Sequence, residues 1–381
     1  MTRASGDVIA VHDRTTARLF ADTHIRPFAD EWDRSGQVPA TLLDAVSAAG
    51  LWDPFPPAPA QGADLTFGTL AEIHEEIGRA CSSVRSLLTV HTMVTFAVRR
   101  WGTAEQKERW LPELAAGRVT GAFCLTEPEV GSDATAVTTT ALRKGGGWVL
   151  NGTKTWITGG QLASLFLVFA RGPGGVVALL VERGAPGVEI TPIDGMLGTT
   201  AGMLATVELR EAHVGPDALL GPEAFATGMV LTGVLDLGRL SVAAGSVGIL
   251  QACLDACTAR TARREVGGVP LRERQLIRAK ISDMVTDVTA ARLLCAEAAR
   301  LKDAGEAETI MTTMMAKYFA STAAARHASE AVQIHGASGC APGSPVARYY
   351  RDAKVMEIIE GSSEIQRLTI ADAAYRTAMN P

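Results

Sequence analysis

The sequence predicts an α+β protein in three parts: an N-terminal helical domain over residues 1–120, a small antiparallel β-barrel or sandwich over 121–223, and a C-terminal four-helix bundle over 224–381. Two changes of texture carry this reading. Near Gly121 long amphipathic runs give way to short apolar runs punctuated by glycine and proline, and near Ala224 the chain returns to long Ala/Leu/Arg-rich stretches. The third observation is negative. The strand–helix alternation of a dinucleotide fold never appears, and no GxGxxG follows a strand, so a dinucleotide would have to be held by other means.

In the first part, the run LAEIHEEIGRACSSVRSLLTVHTMVTFAV (70–98) sets apolar residues at helical spacing between charged ones. After Trp101-Gly102, Thr103 and Gln106 have the spacing of a capping box, with Pro112 expected at the following break. In the second part, strands are expected over 148–158, 165–170, 176–181, 188–193 and 204–209; regular spacing of such runs suggests a barrel or sandwich. In the third, the stretches 237–264, 271–303, 306–335 and 362–378 are long enough for the four helices of a bundle.

With 47% hydrophobic and 20% charged residues, the chain is not a disordered one. A net charge of −5 without a basic stripe argues against a nucleic-acid partner. No apolar run approaches the ~18 residues of a membrane span. The N-terminal MTRASGDVIAVHDR lacks an apolar signal core, so a cytoplasmic location is expected. Six cysteines lie singly with no CxxC, which indicates neither a metal site nor a disulfide framework; Cys253 and Cys257, at i,i+4, read as core residues.

Three segments could carry chemistry. Leu125-Thr126-Glu127-Pro128-Glu129-Val130-Gly131-Ser132-Asp133 is a polar turn following the strand-like GAFCL, which contains Phe123. Its glycine permits close approach of a ligand, although a structural turn has the same composition. Gly152-Thr153-Lys154-Thr155-Trp156-Ile157-Thr158-Gly159-Gly160 offers an aromatic face beside a hydroxyl, suited to a flat heteroaromatic ligand; core packing is the other reading of Trp156. In the third, Tyr349-Tyr350-Arg351-Asp352-Ala353-Lys354 leads to Ile359-Glu360-Gly361-Ser362-Ser363-Glu364-Ile365-Gln366-Arg367. A glutamate among Met356, Ile358 and Ile359 should have a raised pKa and accept a proton near neutrality. A helix-capping surface glutamate is the alternative.

Together, in this order, the three segments resemble the signatures of the acyl-CoA dehydrogenase family: a TEPxxGSD loop, a GxKxWIT strand and a YRDAK…EGSSEIQRL tail, within a resemblance running from about residue 15 to 375. It implies an FAD-dependent enzyme removing an α-proton from an acyl thioester while a hydride leaves the β-carbon for flavin N5. Glu360 matches the catalytic base. Phe123, Leu125, Thr126, Gly131, Trp156, Ile157 and Thr158 match positions around the isoalloxazine ring, and Ser132 a position shared by flavin and thioester carrier. Asp236, Arg239 and Gly361 match the substrate side. Arg264, Gln275, the run Gln333-Ile334-His335-Gly336-Ala337, Ser362 and Glu364 match the adenine end of FAD, which in relatives lies between subunits. A homodimer or homotetramer is therefore implied, with an electron-transfer flavoprotein as electron acceptor.

Four departures stand out. Ile359 replaces a common aromatic residue before the base, and Gly159 the usual Asn after WIT. RxQFG is reduced to Arg264-Glu265-Val266-Gly267-Gly268, and LGxRxS to Leu197-Gly198-Thr199-Thr200-Ala201-Gly202. His91, Thr92 and Thr95 add polarity to the helix expected to line the acyl pocket. These features point to a short or oxygenated acyl group, on coenzyme A or on an acyl carrier protein as in polyketide extender-unit biosynthesis. A catabolic short- or branched-chain enzyme, a flavin monooxygenase or nitroalkane-oxidase-like branch, and a non-catalytic flavin-binding scaffold are the alternatives. Glu360 argues against the last two.

Overall fold

The computed structural model describes residues 8–53, 66–223 and 226–379. Asp13 opens the first helix, α1 (Arg14–Phe20), by accepting the Thr16 N–H at 2.7 Å. One turn of π-helix and one of 3₁₀ lead to α2 (Ala29–Ser35), then α3 (Ala40–Ala48). The long apolar run is two helices, α4 (Phe67–Ala80) and α5 (Ser82–Trp101), because Cys81 is extended and breaks the ladder. Arg14 and Arg18 of α1 pair with Glu75 and Glu76 of α4. The capping box forms at α6 (Ala104–Ala115): Gln106 N–H donates to Thr103 Oγ1 at 3.2 Å, and Thr103 N–H to Gln106 Oε1 at 3.0 Å. Pro112 lies inside α6 rather than at its break, since the buried Trp110 and Leu114 anchor the last turn on both sides of it.

The middle part contains β1 (Gly121–Cys124), β2 (Thr140–Lys144), β3 (Gly147–Ile157), β4 (Leu165–Gly172), β5 (Gly175–Glu182), β6 (Val188–Pro192) and β7 (Ala205–Val214) in one seven-stranded sheet. The expected strands are present, but the sheet is not wholly antiparallel. β1 runs parallel to β4 (Gly121↔Leu165), and β2 meets the far end of β4 in parallel at Thr140↔Arg171. β5 occupies the other edge of β4 through a tight hairpin. Parallel pairing arises because β1 and β2 are separated from β4 by long connections, so a hairpin does not set their direction.

The C-terminal part is built on α7 (Thr232–Arg263), a hairpin of β8 (Glu265–Val266) and β9 (Val269–Pro270), α8 (Gln275–Ala304), α9 (Thr309–His335), α10 (Pro345–Ile358) and α11 (Ser363–Met379). Four of these helices match the expected stretches. The fifth, α10, is an addition, and its signal is Ser344-Pro345: proline at the first helical position after an extended N-cap. α7 has a composition apolar enough to span a membrane, but most of it is buried against α4, α5, α8, α9 and α10. Cys253 and Cys257 lie in that core, as expected. α7 therefore joins the parts, with α4 and α5 on one side and α9 and α10 on the other.

Candidate active site

The short turn between α10 and α11 holds Glu360 in a left-handed conformation, φ 55°, which a non-glycine residue adopts only when its surroundings enforce it. Three side chains hold its carbonyls. Arg239 Nε donates to Glu360 O at 3.3 Å, buried Lys317 Nζ to Gly361 O at 2.7 Å, and Gln366 Nε2 to Gly361 O at 3.1 Å. Ser362 Oγ accepts the Ile365 N–H and caps α11. The Glu360 carboxylate turns into the protein against α7, where a Cβ on Gly238 would stand 2.5 Å from Oε2. That oxygen is enclosed and has no hydrogen-bond partner. Burial raises the Glu360 pKa to about 7, outweighing the opposing pull of Arg239, Lys317 and Arg85. Lys317 is itself lowered to about 8 by burial.

The other wall comes from the sheet. A register shift between Lys154 and Ile157 of β3 bulges the strand, buries Thr155 and Ile157 on either side, and turns Trp156 outward. Trp156 is 52% exposed at φ 59°, which rules out the core reading of this residue. Thr158 and Thr126 are partly exposed near it, and Thr155 N–H donates to Thr126 O at 2.9 Å, tying the two motif segments together. Beneath them Lys154 Nζ donates to Glu127 at 2.7 Å and to Leu125 O at 3.0 Å. Burial opposes ionisation of Glu127, but Lys154, Thr138 and Thr139 hold its pKa down to about 2. Leu125 is buried in one cluster with Met93 and Val94 of α5 and Leu237 of α7, the neighbour of Gly238. Leu125 of the loop thus shares a core cluster with the residue that precedes the glycine facing Glu360.

Behind the tryptophan turn lies the altered LGTTAG loop. Gly159 N–H donates to Gly202 O at 2.8 Å. Thr199 N–H donates to Asp352 of α10 at 2.7 Å, and Thr200 Oγ1 to Asp33 of α2. Gly159 has φ 69°, a conformation that asparagine and glycine tolerate best, which explains its substitution for asparagine.

Family models for the N-terminal, middle and C-terminal domains of acyl-CoA dehydrogenases match residues 12–118, 122–211 and 228–375. The chain belongs to the acyl-CoA dehydrogenase family. It is 36% identical over 370 residues to the mouse short-chain specific acyl-CoA dehydrogenase, mitochondrial, covering 96% of this chain and 89% of that one. The glutaryl-CoA dehydrogenase from Mycobacterium smegmatis in complex with FADH2 superposes with a TM-score of 0.89 at 29% identity, over 95% of this chain and 93% of that one. FkbI, described as serving biosynthesis of the methoxymalonyl extender unit of the polyketide immunosuppressant Fk520, superposes with a TM-score of 0.87 at 33% identity, over 95% and 99% of the two chains. Members of this family are FAD-dependent oxidoreductases acting on acyl-CoA.

The residues present fit FAD at the ring end. Trp156 presents an outward indole, Thr126 and Thr158 are partly exposed and the Gly131-Ser132 turn is open, while the Glu360 carboxylate keeps an unpartnered oxygen. Phe123 is partly buried, its ring 5.5 Å from Phe169, while the Ile157 side chain points into the sheet core, leaving only its backbone for a ligand. Of the residues matched to the adenine end, Ser362 and Glu364 lie beside the Glu360 turn, and the others lie elsewhere. Arg264, Gln275, Gln333, Gly336 and Ala337 are exposed, and α8 and α9 are tied there by Lys280 and Glu330. Gln333 lies sixteen residues along α9 from Lys317, so on the order of 24 Å separates this end from Glu360. Within that run Ile334 is buried in the bundle core and His335 Nδ1 sits 2.8 Å from Ala331 O. Glu364 is exposed on the first turn of α11.

Asp236 is buried and ion-paired with Lys302 of α8 through Oδ2, while its Oδ1 is enclosed without a hydrogen-bond partner. One expectation needs correction. His91 accepts the Gly121 N–H at Nδ1 (3.1 Å) and donates from Nε2 to Leu114 O (3.2 Å), and Thr95 donates to His91 O. Both are structural, and burial pushes His91 down to about 4, so it is neutral. Of the three only Thr92 keeps an unpartnered buried hydroxyl. Sequence reasoning also passed over Gly238, Lys317 and Arg85. Each had a signal, being a glycine or a cation within a run of helix-core residues.

Proposed function

We propose that this chain dehydrogenates a short or oxygenated acyl thioester, with Glu360 as the base that takes the α-proton. The enclosed, unpartnered Glu360 carboxylate facing Gly238, with a pKa near 7, carries the proposal. A carboxylate poised near neutrality can both accept and release a proton at the working pH. FAD supplies the two-electron acceptor for the hydride that leaves the β-carbon. The protein's part is to stack the acyl group beneath Trp156 and Thr158, to hold the thioester carbonyl against the Glu360 N–H, and to fix the turn through Arg239, Lys317 and Gln366. Ser132 and Arg239 face the carrier side. Arg264, Gln275 and the run Gln333–Ala337 stand apart from this site, which supports a homodimer or homotetramer in which a second subunit completes the cofactor site.

The carrier is proposed to be an acyl carrier protein, as in extender-unit biosynthesis. The near full-length match to FkbI and the loss of the Arg and Ser of the LGxRxS loop support this. The proposed location is cytoplasmic, with an electron-transfer flavoprotein as acceptor. Purified enzyme tested with short acyl-CoAs and with glyceryl-type acyl carrier proteins separates the carriers, and rapid flavin bleaching by butyryl-CoA alone would overturn the carrier-protein assignment. Glu360→Gln should keep FAD and lose substrate-driven flavin reduction; near-normal reduction would mean that another residue is the base.

A further inference from the structure

Asp352 is a buried carboxylate on the helix that leads to the base, and nothing above gives it a part in the reaction. Its Oδ1 accepts the Thr199 N–H at 2.7 Å. Its Oδ2 stands 4.0 Å from Arg348, whose guanidinium already donates to Asp30 at 2.8 Å and to Ala80 O at 3.2 Å. Burial raises the Asp352 pKa against the pull of Arg348. The close bond of this carboxylate is therefore the one to the Thr199 backbone, not the one to its cation.

Thr199 and Met203 both have φ 49° and flank the short 3₁₀ turn Thr200–Gly202. Residues with side chains hold a left-handed conformation only where their surroundings enforce it. Here Ala201 and Met203 are buried in the N-terminal core, and Thr200 Oγ1 donates to Asp33 Oδ1 at 2.8 Å. Arg351 Nη1 donates to Leu197 O at 3.1 Å, and a Cβ on Gly198 would stand 2.4 Å from Arg351 O, so the loop lies directly on α10. On its other side the loop holds the turn that follows Trp156. Gly159 N–H donates to Gly202 O at 2.8 Å, and Gln161 N–H to Met203 O at 3.2 Å. Hydrogen bonds thus run without a gap from α10 through Thr199–Met203 to the turn carrying Thr158. Beyond Asp352, α10 continues to Ile358, about 9 Å along the helix axis, and Glu360 follows.

We infer that Asp352 is a positioning residue for the dehydrogenation: through the Thr199 N–H it ties the helix that ends in the base to the turn beside Trp156, and so sets the separation between Glu360 and the ring-facing wall. This rests on the dehydrogenase reading above. An acyl group must lie within reach of the carboxylate at its α-carbon and of the ring face at its β-carbon at once. A change of about 1 Å between the two walls is then enough to lose one of the two bond-breaking events. The base keeps its own supports, Arg239, Lys317 and Gln366, so loosening the tie should spare α-proton removal and penalise hydride loss.

The test compares Asp352→Val, which removes the acceptor, with Asp352→Asn, whose amide oxygen can still accept the Thr199 N–H while its charge is gone. Amide hydrogen exchange, followed by mass spectrometry without substrate, should speed up at least about tenfold over Thr158–Leu162 in Asp352→Val and stay near wild type in Asp352→Asn. The FAD-loaded proteins are then mixed in D2O with propionyl-, butyryl- or 3-hydroxybutyryl-pantetheine. Deuterium entering the α-carbon reads proton removal by Glu360, and flavin bleaching reads hydride loss. In Asp352→Val the ratio of bleaching to α-exchange should fall at least about tenfold, and in Asp352→Asn it should hold. An unchanged ratio or unchanged amide exchange in Asp352→Val overturns the assignment. So does equal impairment of Asp352→Asn, which would give the role to the charge beside Arg348. If Asp352→Val fails to load FAD, Thr200→Val, which frees the same loop from Asp33, should lower the ratio about threefold, and an unchanged ratio there overturns the proposal. Wild-type protein that neither exchanges nor bleaches with any of the three thioesters counts against the dehydrogenase reading, whereas amide exchange decides the tie without substrate.

Discussion

Gly238 and Glu360 face each other across the site so closely that any side chain at 238 would occupy the space of the glutamate's Oε2. Gly238 lies in the interior of α7, where alanine is ordinarily the better helix former by about 1 kcal/mol. Gly238→Ala should therefore fold and bind flavin normally while displacing the carboxylate. A displacement of about 1 Å is enough to cost on the order of a hundredfold in rate. Single-turnover flavin reduction, with thermal unfolding alongside, checks this, and wild-type reduction in a stable variant would show that the carboxylate works from another position.

The Glu360 pKa near 7 predicts the pH dependence. kcat/KM should rise with pH through about 7 and level off above it, because only the ionised form accepts a proton. Lys317 lowers this value, so Lys317→Met should move the rise to higher pH. For stability the sign is opposite. The folded-state value lies above the ordinary 4.5, so the group's contribution is complete below about 4.5 and is lost as pH rises through about 7. Rate profiles and denaturation between those limits test both.

Lys154 and Glu127 form the buried pair beneath the ring-facing loop. Lys154→Met leaves a buried carboxylate without its cation and should cost about 3–5 kcal/mol in denaturant unfolding. Adding Glu127→Gln should restore part of the loss. In the wild type, the depressed Glu127 pKa contributes stability above about 4.5 that is lost as pH falls toward about 2. The double variant should be less sensitive to acid in that window.

Trp156 trades strain for a binding face. A non-glycine residue in the left-handed region costs about 1–2 kcal/mol. Trp156→Gly should therefore leave the apoprotein at least as stable, while FAD affinity drops by at least about tenfold through loss of the aromatic face. Fluorescence titration with FAD and melting of the apoprotein measure the two effects, and unchanged FAD affinity would remove Trp156 from the site.

Much of the fold was legible in the sequence because its signals are local. The periodicity of the helical runs, the punctuation of the strands and the Thr103–Gln106 box each lie within one segment. The start of α10 has a local signal of the same kind at Ser344-Pro345. The parallel pairing of β1 and β2 with β4 was not legible, since no local pattern states which distant strand will be the neighbour. His91 shows the same limit: on a helical wheel it falls among pocket residues, yet both its nitrogens bond backbone on the opposite side.

For the site the division is sharper. Sequence alone determined the family resemblance, the FAD cofactor it implies, the outline of three parts, and Glu360 in apolar company. These follow from residue types and spacings within short segments, which survive without knowledge of neighbours. Tertiary structure alone decided that the Glu360 carboxylate is enclosed against Gly238, that Trp156 turns outward at a bulge, that Asp236 pairs with Lys302, and that Arg85 is wholly buried. Each of these depends on what lies opposite a side chain across helices or strands far apart in sequence. Burial and opposing charge, not residue identity, set a group's protonation and its availability to a ligand.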